Sequence, residues 1–158
     1  MKLPQRWMSI DPGQKGGIVI WEEGVPLGAM AMPMIGSDVD IVTICEMLEH
    51  MTTVVLEKVG GMPGQSAPAA FKFGRDVGCI IGATIAEKCR LEFVAPNVWT
   101  KIFHAGIPVK TAPKDRSRMA AQRLYPSMVS QLKPKGCRVM QDGMCDALGI
   151  GHAWIKKQ

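Results

Sequence analysis

The run TTVVLE, Thr52 to Glu57, constrains the fold more than any other stretch of the chain. It is apolar on both faces and rich in β-branched residues, so it predicts a central strand covered by other elements on each side. Its companions are legible nearby. Trp7 to Asp11, Gly17 to Glu22 and Val25 to Met32 read as three short strands separated by Gly-rich and Glu-Gly turns, which makes an antiparallel meander. LEFVAP, beginning at Leu91, reads as a fifth strand.

Helical segments fall between and after these strands. An amphipathic helix is expected from Ser37 or Asp38 to His50, with Val39, Val42 and Leu48 on its apolar side. The loop GGMPGQSAP leads into a long helix from about Ala67 to Cys89. A short helix follows at Asn97 to Phe103, and two more at Pro113 to Leu124 and Asp142 to Lys156, with a poorly patterned stretch between them. This order predicts an α/β fold, a mixed five-stranded sheet flanked by helices, in one domain spanning residues 1–158. A chain of 158 residues with 47% apolar composition suits a single core of that size.

Several classes are disfavoured. The five cysteines are odd in number and never form a C-x-x-C pair, so neither a disulfide framework nor a zinc site is indicated. They read as buried thiols in a reducing cytoplasm. The start, MKLPQRWMSID, lacks the apolar run of a signal peptide, and the longest uncharged stretch, Gly24 to Ser37, carries two prolines and falls short of a membrane span. A soluble cytoplasmic protein with no membrane partner is expected.

Four carboxylates stand in unusual places. Asp11 closes the first strand and Glu57 closes the fourth, after consecutive apolar residues, where a solubilising charge is not needed. Burying an unpaired carboxylate is costly enough that it normally neutralises, pairs or binds a metal. Asp142 and Asp146, in QDGMCDALGIGHAW, are four apart and share a face if the segment is helical, where like charges repel. Such oxygen donors suit Mg²⁺ or Mn²⁺, and two such ions can activate a water and stabilise the leaving oxygen in phosphodiester cleavage. Each acid also has an ordinary reading: Asp11 in an Asx turn before Pro-Gly, Glu57 paired with Lys58 or Lys101, Asp142 as a helix N-cap.

Charge is segregated along the chain. Between Trp99 and Arg138 nine Lys or Arg face Asp115 alone, a local charge of +8 in a chain whose net charge is +5, so the remainder is mildly acidic. This fits a polyanion-binding face or, equally, a solvated basic surface. In PKDRSRMAAQRL the residues Ser117, Ala120, Ala121 and Leu124 share a face that can pack down, while Arg116, Arg123, Lys114 and Arg118 flank it and can reach phosphates. Lys114, near the helix start, either steadies the reacting phosphate or is an ordinary snorkelling lysine. His104 and His152 are assigned no role.

Taken in order, IDPGQKGGIVI, VVLEKV, a small-residue helix, APNVWTK, a basic helix and DGMCDALGIG resemble the RuvC family of Holliday-junction resolvases, in particular its compact phage-type branch. The resemblance covers nearly the whole chain, least securely between Ser127 and Met140. It implies a ribonuclease-H-like fold and a homodimer that cuts branched DNA, four-way junctions above all, with Mg²⁺ or Mn²⁺, leaving 5′-phosphate and 3′-hydroxyl ends. It matches Asp11, Glu57, Asp142 and Asp146 to the family's metal ligands. Lys101 and Lys114 match basic positions near the scissile phosphate, and Lys110, Arg116, Arg118 and Arg123 join them as DNA contacts. Such a protein works in the cytoplasm of a bacterial or phage-infected cell.

Two departures stand out: the last two acids are four apart rather than three, and the loop VGGMPGQS has no aromatic residue after the second acid, leaving Met62 as a candidate apolar wedge. The same opening motif is also similar to the phosphate-binding turn of sugar kinases and actin-like ATPases, which need two such domains and a second nucleotide motif. A non-catalytic branched-DNA-binding protein on the same fold is the other alternative.

In FKFGRDVGCIIGATIAEK, Gly74, Gly78, Gly82 and Ala86 recur every fourth residue. Glycine inside a helix costs about 1 kcal/mol relative to alanine. Close backbone approach along one stripe supplies a reason. Either the stripe packs on the sheet, or the Ala67 to Cys89 helix joins two copies of the chain about a two-fold axis.

Overall fold

The computed structural model describes residues 3–61 and 64–158, with position 114 described by its backbone alone, so Met62 and the Lys114 side chain lie outside the described residues. The elements in chain order are β1 (Arg6–Asp11), β2 (Gly17–Glu22), β3 (Val25–Ala31), β4 (Met34–Ile35), β5 (Asp38–Val39), α1 (Ile41–Leu48), β6 (Thr53–Glu57), α2 (Ala67–Ala86), β7 (Arg90–Val94), α3 (Pro96–Phe103), α4 (Pro113–Leu124), a 3₁₀ turn (Pro126–Met128) and α5 (Asp142–Ile155).

The main sheet has the order β3-β2-β1-β6-β7. The first three strands form the expected antiparallel meander, while β6 runs parallel to β1 and β7 parallel to β6. Val54, Val55 and Leu56 of β6 are wholly buried, as a run apolar on both faces requires. Strand alternation divides the core in two. Met8, Ile10, Val54 and Leu56 face α1 and α2, meeting Ile44, Leu48, Val77 and Ile80. Trp7, Val19, Trp21 and Val55 face the other way, under α3, α4 and α5. There Trp7 stacks on Trp21 at 4.9 Å between ring centroids and tilts against Trp154 at 4.7 Å.

The first helix begins later than its sequence pattern indicates. Gly36 turns the chain at φ +59, so Asp38 pairs with Ile35 in a two-stranded hairpin instead of starting a helix. Asp40 is the N-cap, its carboxylate accepting from the backbone N–H of Thr43 at 3.2 Å. The cysteines also correct an expectation: Cys89 and Cys145 are buried, but Cys79 and Cys137 are exposed.

The glycine stripe of α2 does not pack on the sheet. A Cβ placed on Gly74, Gly78 or Gly82 would meet nothing within 4 Å. Val77, Ile80 and Ala83 on the opposite side supply the helix's core contacts. The stripe is flanked by Phe71 and Ile85, 75% and 62% exposed. Among the described residues no helix is long and apolar enough to cross a membrane.

Candidate active site

The site begins with strand register. Ile10 of β1 lies opposite Leu56 of β6, so the next residues, Asp11 and Glu57, end two adjacent parallel strands at the same edge. Alternation turns both side chains to the face covered by α3, α4 and α5, because Ile10 and Leu56 point to the other. The carboxyl ends of parallel strands are where open α/β sheets place ligands.

Helix α5 crosses this face and brings Asp142 and Asp146. It is held on β1 by Ser9, whose Oγ donates to the carbonyl of Ala147 at 2.7 Å and accepts from Trp21 Nε1 at 2.8 Å. Its first turn is fixed by Gln141, the N-cap: Oε1 accepts from the Met144 N–H at 2.6 Å, and Nε2 donates to the Lys15 carbonyl at 2.7 Å. Asp142 is therefore the first helical residue, not the cap.

The turn after β1 and the start of α5 meet backbone to backbone. Gly16 and Gly143 form a parallel bridge. A Cβ on Gly143 would stand 2.2 Å from the Lys15 carbonyl oxygen, and one on Gly17 would stand 2.6 Å from the Cα of Met144. Neither glycine has a positive φ, so it is space, not conformation, that requires them.

The carboxylates share one field. Asp11 is pushed well above the usual carboxylate range by burial, then by Asp146, then by Glu57. No hydrogen bond reaches its carboxylate among the described residues, so an Asx turn is not what holds it. Burial also raises Glu57, opposed by Trp99, whose Nε1 donates to Oε1 at 2.7 Å. Trp99, and neither Lys58 nor Lys101, is thus the partner that orients Glu57. Asp146 is pushed up to about 6 by burial, opposed by a hydrogen bond from Ser117, with Glu57 and Asp142 adding further repulsion.

Two consecutive residues of α4 complete the constellation. The Ser117 hydroxyl, which donates to Asp146, lies 2.9 Å from His104 Nε2 and so accepts from it. Burial, then the charge of Arg116, holds His104 below its ordinary range. Arg118 pairs with Asp142 at 2.5 Å and with Asp115 at 3.2 Å, and its Nε donates to the Met140 carbonyl at 2.9 Å.

The remaining basic candidates divide into two groups. Lys101 on α3 and Lys110 in the following loop are exposed. Arg116 and Arg123 are turned to backbone carbonyls: Arg116 Nε donates to Thr111 O at 2.7 Å and its guanidinium also reaches Val109 O, while Arg123 donates to Ala105 O at 2.5 Å. These arginines strap the 105–111 loop to α4.

As donors, the four acids suit a hard divalent cation: all are carboxylates, half-buried, and Asp11 and Asp146 are raised by burial first and by their acidic neighbours after it. Among the described residues no group of three or more His, Cys, Asp or Glu is already arranged as a complete metal-binding set. The residues fit a metal in kind, as an all-carboxylate donor set.

The chain matches no protein-family profile and no curated protein. Solved structures do resemble it. T. thermophilus RuvC in complex with a Holliday junction substrate aligns with a TM-score of 0.64 at 13% identity, over 94% of this chain and 92% of that one. The Fowlpox virus resolvase, in complex with substrate Holliday junction DNA, gives 0.62 at 9% identity over 96% and 99%. The yeast mitochondrial Holliday junction resolvase Ydc2 gives 0.56 at 13% identity over 99% and 80%. At such identities the likeness speaks for architecture: this chain has the ribonuclease-H-like fold of the RuvC-type resolvases, a mixed five-stranded sheet flanked by helices.

Proposed function

We propose that the protein is a divalent-metal-dependent endonuclease of branched DNA, four-way junctions above all, with Asp11, Glu57, Asp142 and Asp146 as ligands for Mg²⁺, for which Mn²⁺ substitutes. The observation that carries this reading is the convergence of carboxylates from β1, β6 and α5 at one edge of the sheet, where burial raises Asp11 and Asp146 and their acidic neighbours raise them further. Its fold neighbours include two proteins held in complex with Holliday junction DNA.

Bound there, a pair of such ions would activate a water and steady the leaving oxygen of a phosphodiester. The chain's own residues prepare the ligands. Trp99 fixes the rotamer of Glu57, Ser117 and His104 hold Asp146, and Arg118 offsets the charge of Asp142. Outer hydrogen bonds of this kind orient ligands and raise their affinity for metal. Lys114, at the start of α4, is assigned to the scissile phosphate, and Lys101 on α3 is assigned with it. Lys110, Arg116, Arg118 and Arg123 give that side of the molecule its attraction for the DNA backbone.

A four-way junction presents two related strands, and a two-fold dimer presents two matching sites. The open stripe of Gly74, Gly78 and Gly82 on α2, bordered by Phe71 and Ile85, is the face assigned to the second copy.

The test is cleavage of synthetic branched and linear DNAs with Mg²⁺, Mn²⁺ or Ca²⁺, mapping cuts on every strand, for the wild type and Asp146→Asn. Symmetric cuts in junctions are expected with Mg²⁺ and Mn²⁺, and Asp146→Asn loses at least about a hundredfold in rate while still binding the junction. A wild type that binds junctions yet cuts none of them under either metal would instead make the protein a non-catalytic binder on the same fold.

A further inference from the structure

Beside the acid cluster an open cleft of about 470 Å³ separates the β1–β2 turn from the segment that leads into α5. Its size is that of a small-ligand pocket. Pro134 and Val139 form an apolar wall, and Lys15 and Arg138 stand on its rim. At one end it reaches Arg118 and Asp142, so it opens directly into the site.

Cations dominate the cleft, with Lys15, Arg118 and Arg138 against Asp142. Lys15 and Arg138 are exposed, and neither joins an ion pair among the described residues. From Ser127 to Gln141 the sequence contains Lys133, Lys135 and Arg138 and no acid. The Lys15 side of the cleft is also held in place, since Gln141 binds the Lys15 carbonyl and Gly16 lies against Gly143. An apolar wall between cations matches a ligand with an apolar face and an anion at its edge, which describes a nucleotide better than an acidic peptide.

We propose that this cleft seats one unpaired nucleotide of the DNA strand leaving the acid cluster, its sugar and base against Pro134 and Val139 and its phosphate between Lys15 and Arg138. The inference rests on the reading of the chain as a nuclease of branched DNA. It gives that reading a source of selectivity: freeing a base from a continuous duplex costs a few kcal/mol, and a base that is already unpaired costs least. A branch point supplies such a base.

Cys137, exposed in the same cleft, reports on occupancy. The full chain is titrated with a synthetic four-way junction in Ca²⁺ to slow cutting, binding is followed by gel shift, and iodoacetamide alkylation is mapped by mass spectrometry. Alkylation of Cys137 is expected to slow severalfold on the bound junction and much less on linear duplex at equal occupancy. Val139→Asp, at a side chain already 55% exposed and so safe for folding, is expected to weaken junction binding about tenfold, and to weaken it severalfold more than linear duplex binding, which feels only the added charge. A bound junction with Cys137 alkylated at the free rate overturns the proposal, as does a Val139→Asp variant that binds junctions like the wild type. A wild type that shows no gel shift with branched DNA overturns the nuclease reading itself, an outcome seen before any alkylation is measured.

Discussion

Asp146 ties the chemistry of the site to the stability of the fold. Its carboxyl titrates near 6 in the folded chain, against 3.8 for the same group unperturbed. Between those values the folded state holds a proton that the unfolded state has released, so metal-free stability falls as pH rises from about 4 through about 6. The loss is on the order of 3 kcal/mol once the group is ionised. Thermal melting of metal-free protein should show this decline, Asp146→Asn should remove much of it, and Mg²⁺ or Mn²⁺ at pH 8 should raise the melting temperature of the wild type. A melting temperature flat across pH 4 to 7 would contradict the cluster. The sequence singles out Asp11 and Glu57 because each ends an apolar strand, and Asp142 and Asp146 because they stand four apart in a helix; the fold brings them to one edge, and their role as metal ligands is the proposal made above. It does not single out Trp99, Ser117, His104 and Gln141, since an indole, a hydroxyl, a ring and an amide look ordinary in a helix until the fold shows what they touch. Ser117 was legible only as part of a packing face, which it is, at 2% exposure, while also reaching Asp146.

Elements meet most tightly where the β1–β2 turn abuts α5. Replacing a helical glycine by alanine ordinarily gains up to about 1 kcal/mol. At Gly143 the sign reverses, because the new methyl would overlap the Lys15 carbonyl. Gly143→Ala is expected to cost at least about 2 kcal/mol, read as a lower urea midpoint or a drop of several degrees in melting temperature. Most element boundaries follow from local pattern: α4 runs over Pro113–Leu124 as the sequence indicates, and β6 is the buried centre of the sheet. The hairpin before α1 escaped, because a two-residue strand has too few positions to show alternation and Asp38 and Asp40 are both plausible caps. The arginines of α4 show the same limit in another way. Helical spacing places them beside a packed face, but only the path of the 105–111 loop reveals that Arg116 and Arg123 turn back to its carbonyls.

For the molecule as a whole, the proposed dimer rests on the open face of α2. Because no atom lies within 4 Å of a Cβ at Gly78, a bulky side chain there is compatible with the folded chain. Gly78→Leu is therefore expected to shift sedimentation from dimer to monomer with no loss of melting temperature in the isolated chain, and with junction cutting reduced in parallel. A wild type that sediments as a monomer at cutting concentrations would remove the need for the stripe. The position of the clasp between Gly16 and Gly143 also has a bearing on synthesis. The two halves of the acid cluster come from opposite ends of the chain, and a ribosome releases the first long before the last. A nascent or prematurely terminated polypeptide that lacks α5 holds Asp11 and Glu57 without Asp142 or Asp146, so the acid cluster is complete only once the last helix has been made and docked.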